Sequence, residues 1–200
     1  MTEPDPGAAH RAHFADNRAN WDDRAALHEA SGYGIAELLA SPGAITKDVA
    51  ADLGRLGDLT GLDVIHLQCH LGLDTISLAR LGARRVVGLD LSATAIARME
   101  AEARGRGLEQ RVRGVVLDVT HEDLPAGPFD LVVAFYLHGG PEPGSLDLID
   151  LLARGAGLVS PGGRLLTAVH CTNPPWHGHH GRTYTPAELL AGLAGATEGW

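Results

Sequence analysis

The sequence predicts an α/β domain built on a parallel sheet of strand order 3-2-1-4-5, with helices on both faces. Three observations carry this. Short apolar runs alternate with segments of helical spacing from Asp63 to Val169, the pattern of strands joined by helical crossovers. Right-handed crossovers then fix the order and put the switch point between strands one and four. Finally, His66-Leu67-Gln68-Cys69-His70-Leu71-Gly72-Leu73-Asp74-Thr75 turns from an apolar strand into a helix through Gly72, and Asp90 stands at the end of the next strand.

Each element has its own signal. Residues 1–15 are polar and read as a mobile tail. Residues 16–60 read as a helical cap over the sheet's carboxyl edge. There Trp21, Ala25 and His28 share one face and Ile35, Leu38 and Leu39 another, broken at Gly32 and Gly34. The domain proper is 61–200. Strand one is Asp63–Leu67, a helix follows at Leu73–Leu81, and strand two is Arg85–Leu89. Ser92 caps a helix running to about Arg106, stopped by Gly105 and Gly107. Strand three is Gly114–Val119 and strand four Phe129–Leu137. A helix covers Leu146–Ala156, and strand five is Arg164–Val169 behind the turn Ser160-Pro161-Gly162-Gly163. A polar loop, 171–184, leads to a last helix with Thr185 as N-cap and Pro186 at its first position.

Composition bounds the function. At 200 residues and 44% hydrophobic content, the chain suits one domain with a sizeable core. A net charge of −9 and the lack of a basic stripe argue against nucleic acid as a partner. The stretch Met1–Gly7 holds Glu3, Asp5 and two prolines in place of a leader pattern, and no apolar run is long enough to span a bilayer. A cytoplasmic enzyme with no membrane partner is expected. Cys69 and Cys171 are too few for a disulfide framework and are expected to be reduced.

The strand-to-helix turn suggests a nucleoside floor. A helix N-terminus presents unpaired N–H groups and partial positive charge to an anion. An acid ending the second strand reaches the crevice and accepts hydrogen bonds from ribose hydroxyls. Asp90 lies 18 positions after Gly72, room for one helix and one strand.

These residues resemble class I S-adenosylmethionine (SAM)-dependent methyltransferases, especially a bacterial subgroup reading His-Leu-Gln-Cys-His-x-Gly-Leu-Asp-Thr. The whole string stands at 66–75, and Asn17-Arg18-Ala19-Asn20-Trp21-Asp22 resembles the subgroup's opening. The likeness runs from about Asn17 to the C-terminus. The generic turn is Asp-x-Gly-x-Gly-x-Gly, so His66, Gln68 and His70 stand where an acid and two glycines are expected.

The resemblance implies a Rossmann-like methyltransferase fold with SAM as cofactor. Gln68, Cys69 (through its backbone), His70, Gly72 and Asp74 would serve the methionine end, with Gly72 allowing close approach of the backbone. Asp90 would hold the ribose and Leu91 the adenine face. Asp118 would accept from the adenine amino group while the Val119 N–H meets a ring nitrogen. Phe135 and Tyr136 would face the sulfonium, which an aromatic ring attracts as it does an ammonium. Trp21 and Arg24 would reach in from the cap, Arg24 toward the SAM carboxylate. His138 is the candidate general base. Each has an ordinary alternative: core packing for Leu91 and Phe135, a solvated rim for Asp118 and His138, an exposed helix face for Arg24.

His170, His177, His179 and His180 lack the spacing of a metal set, so no metal is expected, and their loop reads as part of an acceptor pocket. The expected reaction is in-line methyl transfer to an oxygen or nitrogen of a small molecule, with proximity supplying most of the rate. Two rivals stand beside it. A nicotinamide-dependent oxidoreductase expects Gly-x-Gly-x-x-Gly, and Gln68–Leu73 offers one of those glycines. A non-catalytic SAM-binding or partner-binding module is favoured by the missing end of the sheet. The family carries an antiparallel hairpin after strand five, for which no segment here has the pattern. A truncated chain, or a homodimer covering the strand-five edge, is the expectation.

Overall fold

The computed structural model describes residues 41, 43–140, 145–173 and 182–200. Trp21, Arg24, Tyr33 and the stretch His177–His180 lie outside the described residues, as do the tail and most of the cap.

Among the described residues eleven elements follow in chain order: α1 (Lys47–Ala51), α2 (Leu53–Leu56), β1 (Asp63–His66), α3 (Leu73–Arg80), β2 (Arg85–Asp90), α4 (Ala93–Gly105), β3 (Val112–Val116), β4 (Phe129–Phe135), α5 (Leu148–Ala156), β5 (Val159–Ala168) and α6 (Pro186–Leu193). The strands form one sheet of order β3-β2-β1-β4-β5, parallel throughout. The expected order and fold class are therefore observed.

Strand pleating divides the core into two layers. Val64 of β1 and Leu131, Val133 and Phe135 of β4 face one layer, closed by Leu78 of α3, Met99 of α4 and Val49 of α1. Ile65, Leu67, Val132 and Ala134 face the other, closed by Leu148, Leu151 and Leu152 of α5 and Leu189 of α6. Four of the described helices, α1, α4, α5 and α6, start where a side chain accepts from a first-turn amide, whereas α2 and α3 have no such cap. Ser92 Oγ accepts from Ala95 N at 3.0 Å, Asp147 caps α5, and Thr185 with Glu188 forms a reciprocal capping box ahead of Pro186.

Every strand differs from the sequence reading at one or both ends: β1 stops one residue earlier, β2 runs one residue further, β3 begins at Val112 rather than Gly114, and three shifts bear on the site or the edge. β3 ends at Val116, so Asp118 and Val119 belong to the loop after it. β4 ends at Phe135, where Tyr136 leaves the extended region with φ 53°. β5 begins at Val159, because Ser160-Pro161-Gly162-Gly163 is absorbed as an irregularity between Phe129↔Val159 and Leu131↔Arg164 rather than preceding the strand. No helix among the described residues is long and apolar enough to cross a membrane.

Candidate active site

The crevice lies at the carboxyl ends of β1, β2 and β4, where the chain turns from β1 into α3. Gln68, His70 and Gly72 have φ of 59°, 51° and 73°, so alternate residues of this turn are left-handed. A non-glycine residue there costs roughly 1–2 kcal/mol. The turn is held in spite of that cost by Cys69 N donating to Leu89 O at 2.6 Å, His70 N to Asp90 Oδ2 at 2.7 Å and Gly72 N to Cys69 O at 2.8 Å. Gln68 and His70 thus adopt a left-handed backbone conformation that favours glycine.

Gly72 is required by the core beneath the turn. A Cβ there would stand 2.0 Å from Met99 Cγ, and Gly88 and Gly114 crowd the same methionine at 3.0 Å and 3.1 Å. Met99 is fully buried beneath the turn, with Cys69 Sγ 3.8 Å from its sulfur. The Cys69 side chain therefore points into the core, and burial, with Asp90 adding, pushes its thiol far above the ordinary range.

Asp90, 6% exposed, ends β2. Besides the His70 amide it accepts from Ser92 N at 2.8 Å through Oδ1. These two amides hold the carboxylate at the head of the turn. Leu91 beside it is half-buried and joins none of the hydrophobic clusters. Past β3, Asp118 is buried, accepting from Thr120 N at 2.9 Å and pairing with His121 Nδ1 at 2.7 Å. Asp118 N and Thr120 N are spent on Glu122 and Asp118, whereas Val119 N donates no hydrogen bond among the described residues.

At the β4 end the two candidate aromatics differ in burial. Phe135 is 8% exposed, its ring edge-on to His66 at 5.5 Å, and belongs to the core. Tyr136, turned by its positive φ, is 38% exposed. Its ring lies 5.0 Å from that of His170, which stacks on His138 at 4.8 Å and 11°. His138 Nε2 is buried and has no hydrogen-bond partner among the described residues, while the Arg182 backbone engages the ring. Burial first, then neighbouring His170, lowers the His138 pKa.

Three carboxylates face this group. The Tyr136 hydroxyl is held above its ordinary range by burial and by Asp48, Asp52 and Asp74. Asp74, on the first turn of α3, is itself raised by burial, and Asp48 by partial burial and by Asp74 and Asp52. Sequence reasoning named Asp74 but missed Asp48 and Asp52. Their convergence depends on α1 docking on α3, where Thr46 N donates to Ser77 Oγ at 3.0 Å and Arg80 donates to Ala44 O. No motif announces that contact. His66 Nε2 is a further buried ring nitrogen without a partner; its Nδ1 is 3.0 Å from Thr75 Oγ1, and burial lowers its pKa to about 4. No cluster of three metal-ligating side chains occurs among the described residues.

The family model described as "Methyltransferase domain" matches residues 64–163, half of the chain. The chain belongs to the methyltransferase-domain family. Ribosomal protein L11 methyltransferase of Azotobacter vinelandii is 30% identical over 145 residues, 69% of this chain and 46% of that protein. The Vibrio cholerae counterpart is 33% identical over 108 residues, 54% of this chain and 33% of that one. The chain thus spans less than half the length of these relatives. Among solved structures, a SAM-dependent methyltransferase from Mesorhizobium loti superposes with a TM-score of 0.60 at 20% identity, covering 80% of this chain and 82% of that one. The [4+2]-cyclase SpnF gives 0.59 at 22%, covering 78% and 60%. At these identities the likeness is one of fold.

Proposed function

We propose that the chain binds SAM across the β2–β1–β4 crest and transfers its methyl group to an oxygen or nitrogen of a small molecule. The observation that carries this reading is the 66–72 turn. It holds three left-handed residues in alternation, two of them at a cost, and fastens the result to Asp90. Strain kept at such a place points to a bound ligand.

The residues fit the cofactor. Asp90, held at the end of β2 by the His70 and Ser92 amides, would accept from ribose hydroxyls, Leu91 offers a half-buried apolar face, and the Val119 amide, which makes no hydrogen bond among the described residues, suits a purine nitrogen beside Asp118. Gln68, His70 and Asp74 flank the methionine end. When bound, SAM supplies an electrophilic methyl group on a cationic sulfur. Asp48, Asp52 and Asp74 set a negative field there, favourable to a cation, and of the two aromatics named for the sulfonium Tyr136 is the exposed one. His138 accepts the acceptor's proton at its unpartnered Nε2. Its lowered pKa keeps that nitrogen unprotonated at neutral pH. Orientation and exclusion of water supply the rest.

The relatives named for ribosomal protein L11 make a protein the competing acceptor class. Labelled SAM offered with a metabolite extract and, separately, with L11 decides between them; label entering L11 and no small molecule would overturn the small-molecule reading. A second reading, a non-methylating SAM-fold module, is favoured by the cyclase neighbour, because one fold hosts different chemistries. Titration calorimetry with SAM and NADH tests the cofactor. Heat with NADH alone would refute the assignment, and SAM binding without transfer to any acceptor would favour the module.

A further inference from the structure

We infer that Arg154, reaching from α5, is a positioning residue for purine recognition: it fixes two carbonyls of the loop whose Asp118 and Val119 are assigned to adenine. This rests on the SAM reading above and deepens it.

The loop after β3 is tied to the sheet at its start, where Leu117 N donates to Asp90 O at 2.9 Å. Its next bonds are internal. Asp118 accepts from Thr120 N and pairs with His121, Asp118 N donates to Glu122 Oε2 at 2.7 Å, and Glu122 N donates to Asp118 O at 2.9 Å. Such bonds shape a turn without fixing where it points. Arg154 supplies the external tie, donating from Nη2 to Val119 O and from Nη1 to Glu122 O at 3.1 Å. Its Nε donates to Asp150 Oδ2 at 3.0 Å, one turn back on α5, which aims the fork. A planar guanidinium with several fixed donors suits two carbonyls held at once, whereas a lysine presents a single mobile point charge.

The consequence falls on Val119. Its carbonyl is taken by Arg154 and its side chain is buried, so the orientation of the residue is set from both sides while its amide spends no bond. Without Arg154 the loop would pivot about Leu117, and the Asp118 carboxylate and Val119 amide would lose their fixed separation. The purine contacts would weaken, and those to ribose and methionine, held by Asp90 and the 66–72 turn, would not.

The test compares R154A and R154K with the unmodified chain in binding to S-adenosylhomocysteine and to S-ribosylhomocysteine, the same molecule without its base. R154A is expected to weaken S-adenosylhomocysteine about tenfold, the scale of one hydrogen bond to a charged group, and to leave S-ribosylhomocysteine unchanged. R154K should lie between, and amide exchange of Val119 and Thr120 should quicken in R154A. Equal losses for both ligands in both variants would mark general structural damage and overturn the inference. So would undiminished S-adenosylhomocysteine binding by R154A, which leaves the SAM reading standing. Failure of the unmodified chain to bind S-adenosylhomocysteine would instead overturn the SAM reading, and this inference with it.

Discussion

Gly72→Ala tests whether the turn is built on the core beneath it. The added Cβ would stand 2.0 Å from Met99 Cγ and 2.4 Å from its sulfur, on a residue already at φ 73°. Left-handed backbone costs an alanine roughly 1–2 kcal/mol, and overpacking a closed core costs roughly 1–3 kcal/mol. A loss of about 2–5 kcal/mol is expected, or a fall in Tm of roughly 4–20 °C for a domain of this size. Urea unfolding of Gly72→Ala, Met99→Ala and the double variant separates the two costs. Met99→Ala alone should lose about 2–5 kcal/mol. With the thioether gone the clash goes too, so the double variant should fall short of the summed losses by about 1–3 kcal/mol. Additive losses would refute the argument that Met99 is what excludes a side chain at position 72. A loss below about 0.5 kcal/mol for Gly72→Ala alone would refute the backbone argument as well.

Three further outcomes follow from the same geometry. Asp90→Ala should weaken SAM binding by roughly 1.5–3 kcal/mol in calorimetry, on the scale of hydrogen bonds to a charged group, and unchanged affinity would remove the ribose assignment. His66, with a folded pKa of about 4 against 6.5 unfolded, binds its proton less readily in the native state. Stability is therefore whole above pH 6.5 and lost as pH falls toward 4, by roughly 3 kcal/mol for this one group. The difference between unmodified and His66→Asn unfolding curves should show that slope; a flat difference would mean His66 is protonated in the fold. Gln68→Gly relieves a left-handed residue and should hold or raise stability by up to about 1 kcal/mol while lowering SAM affinity. Unaltered affinity in that variant would release the Gln68 side chain from any role in binding.

Periodicity made the sheet legible because β1, β2 and β4 are buried on both faces and had to be apolar throughout, as Val64-Ile65 and Leu131-Val132-Val133 are. Strand ends were less legible, since termination is decided by backbone geometry. Nothing in the letters distinguishes Phe135, the last extended residue of β4, from Tyr136, which turns at φ 53°. That one step of the chain separates a buried ring from an exposed one. The carboxylate group was hidden for a different reason. Asp48 and Asp74 share no period or spacing, and they meet because Ser77 and Arg80 dock the segment before α1 onto α3. The 66–75 string shows both limits at once. Its residue types departed from the expected pattern while its conformation did not, because φ at positions 68 and 70 is set by amides fastened to Leu89 and Asp90 rather than by glycine's freedom. A turn held by its neighbours tolerates side chains that an unsupported turn would reject. In such a site the acid at the end of β2 reports the site's conformation more reliably than the glycines of the turn itself.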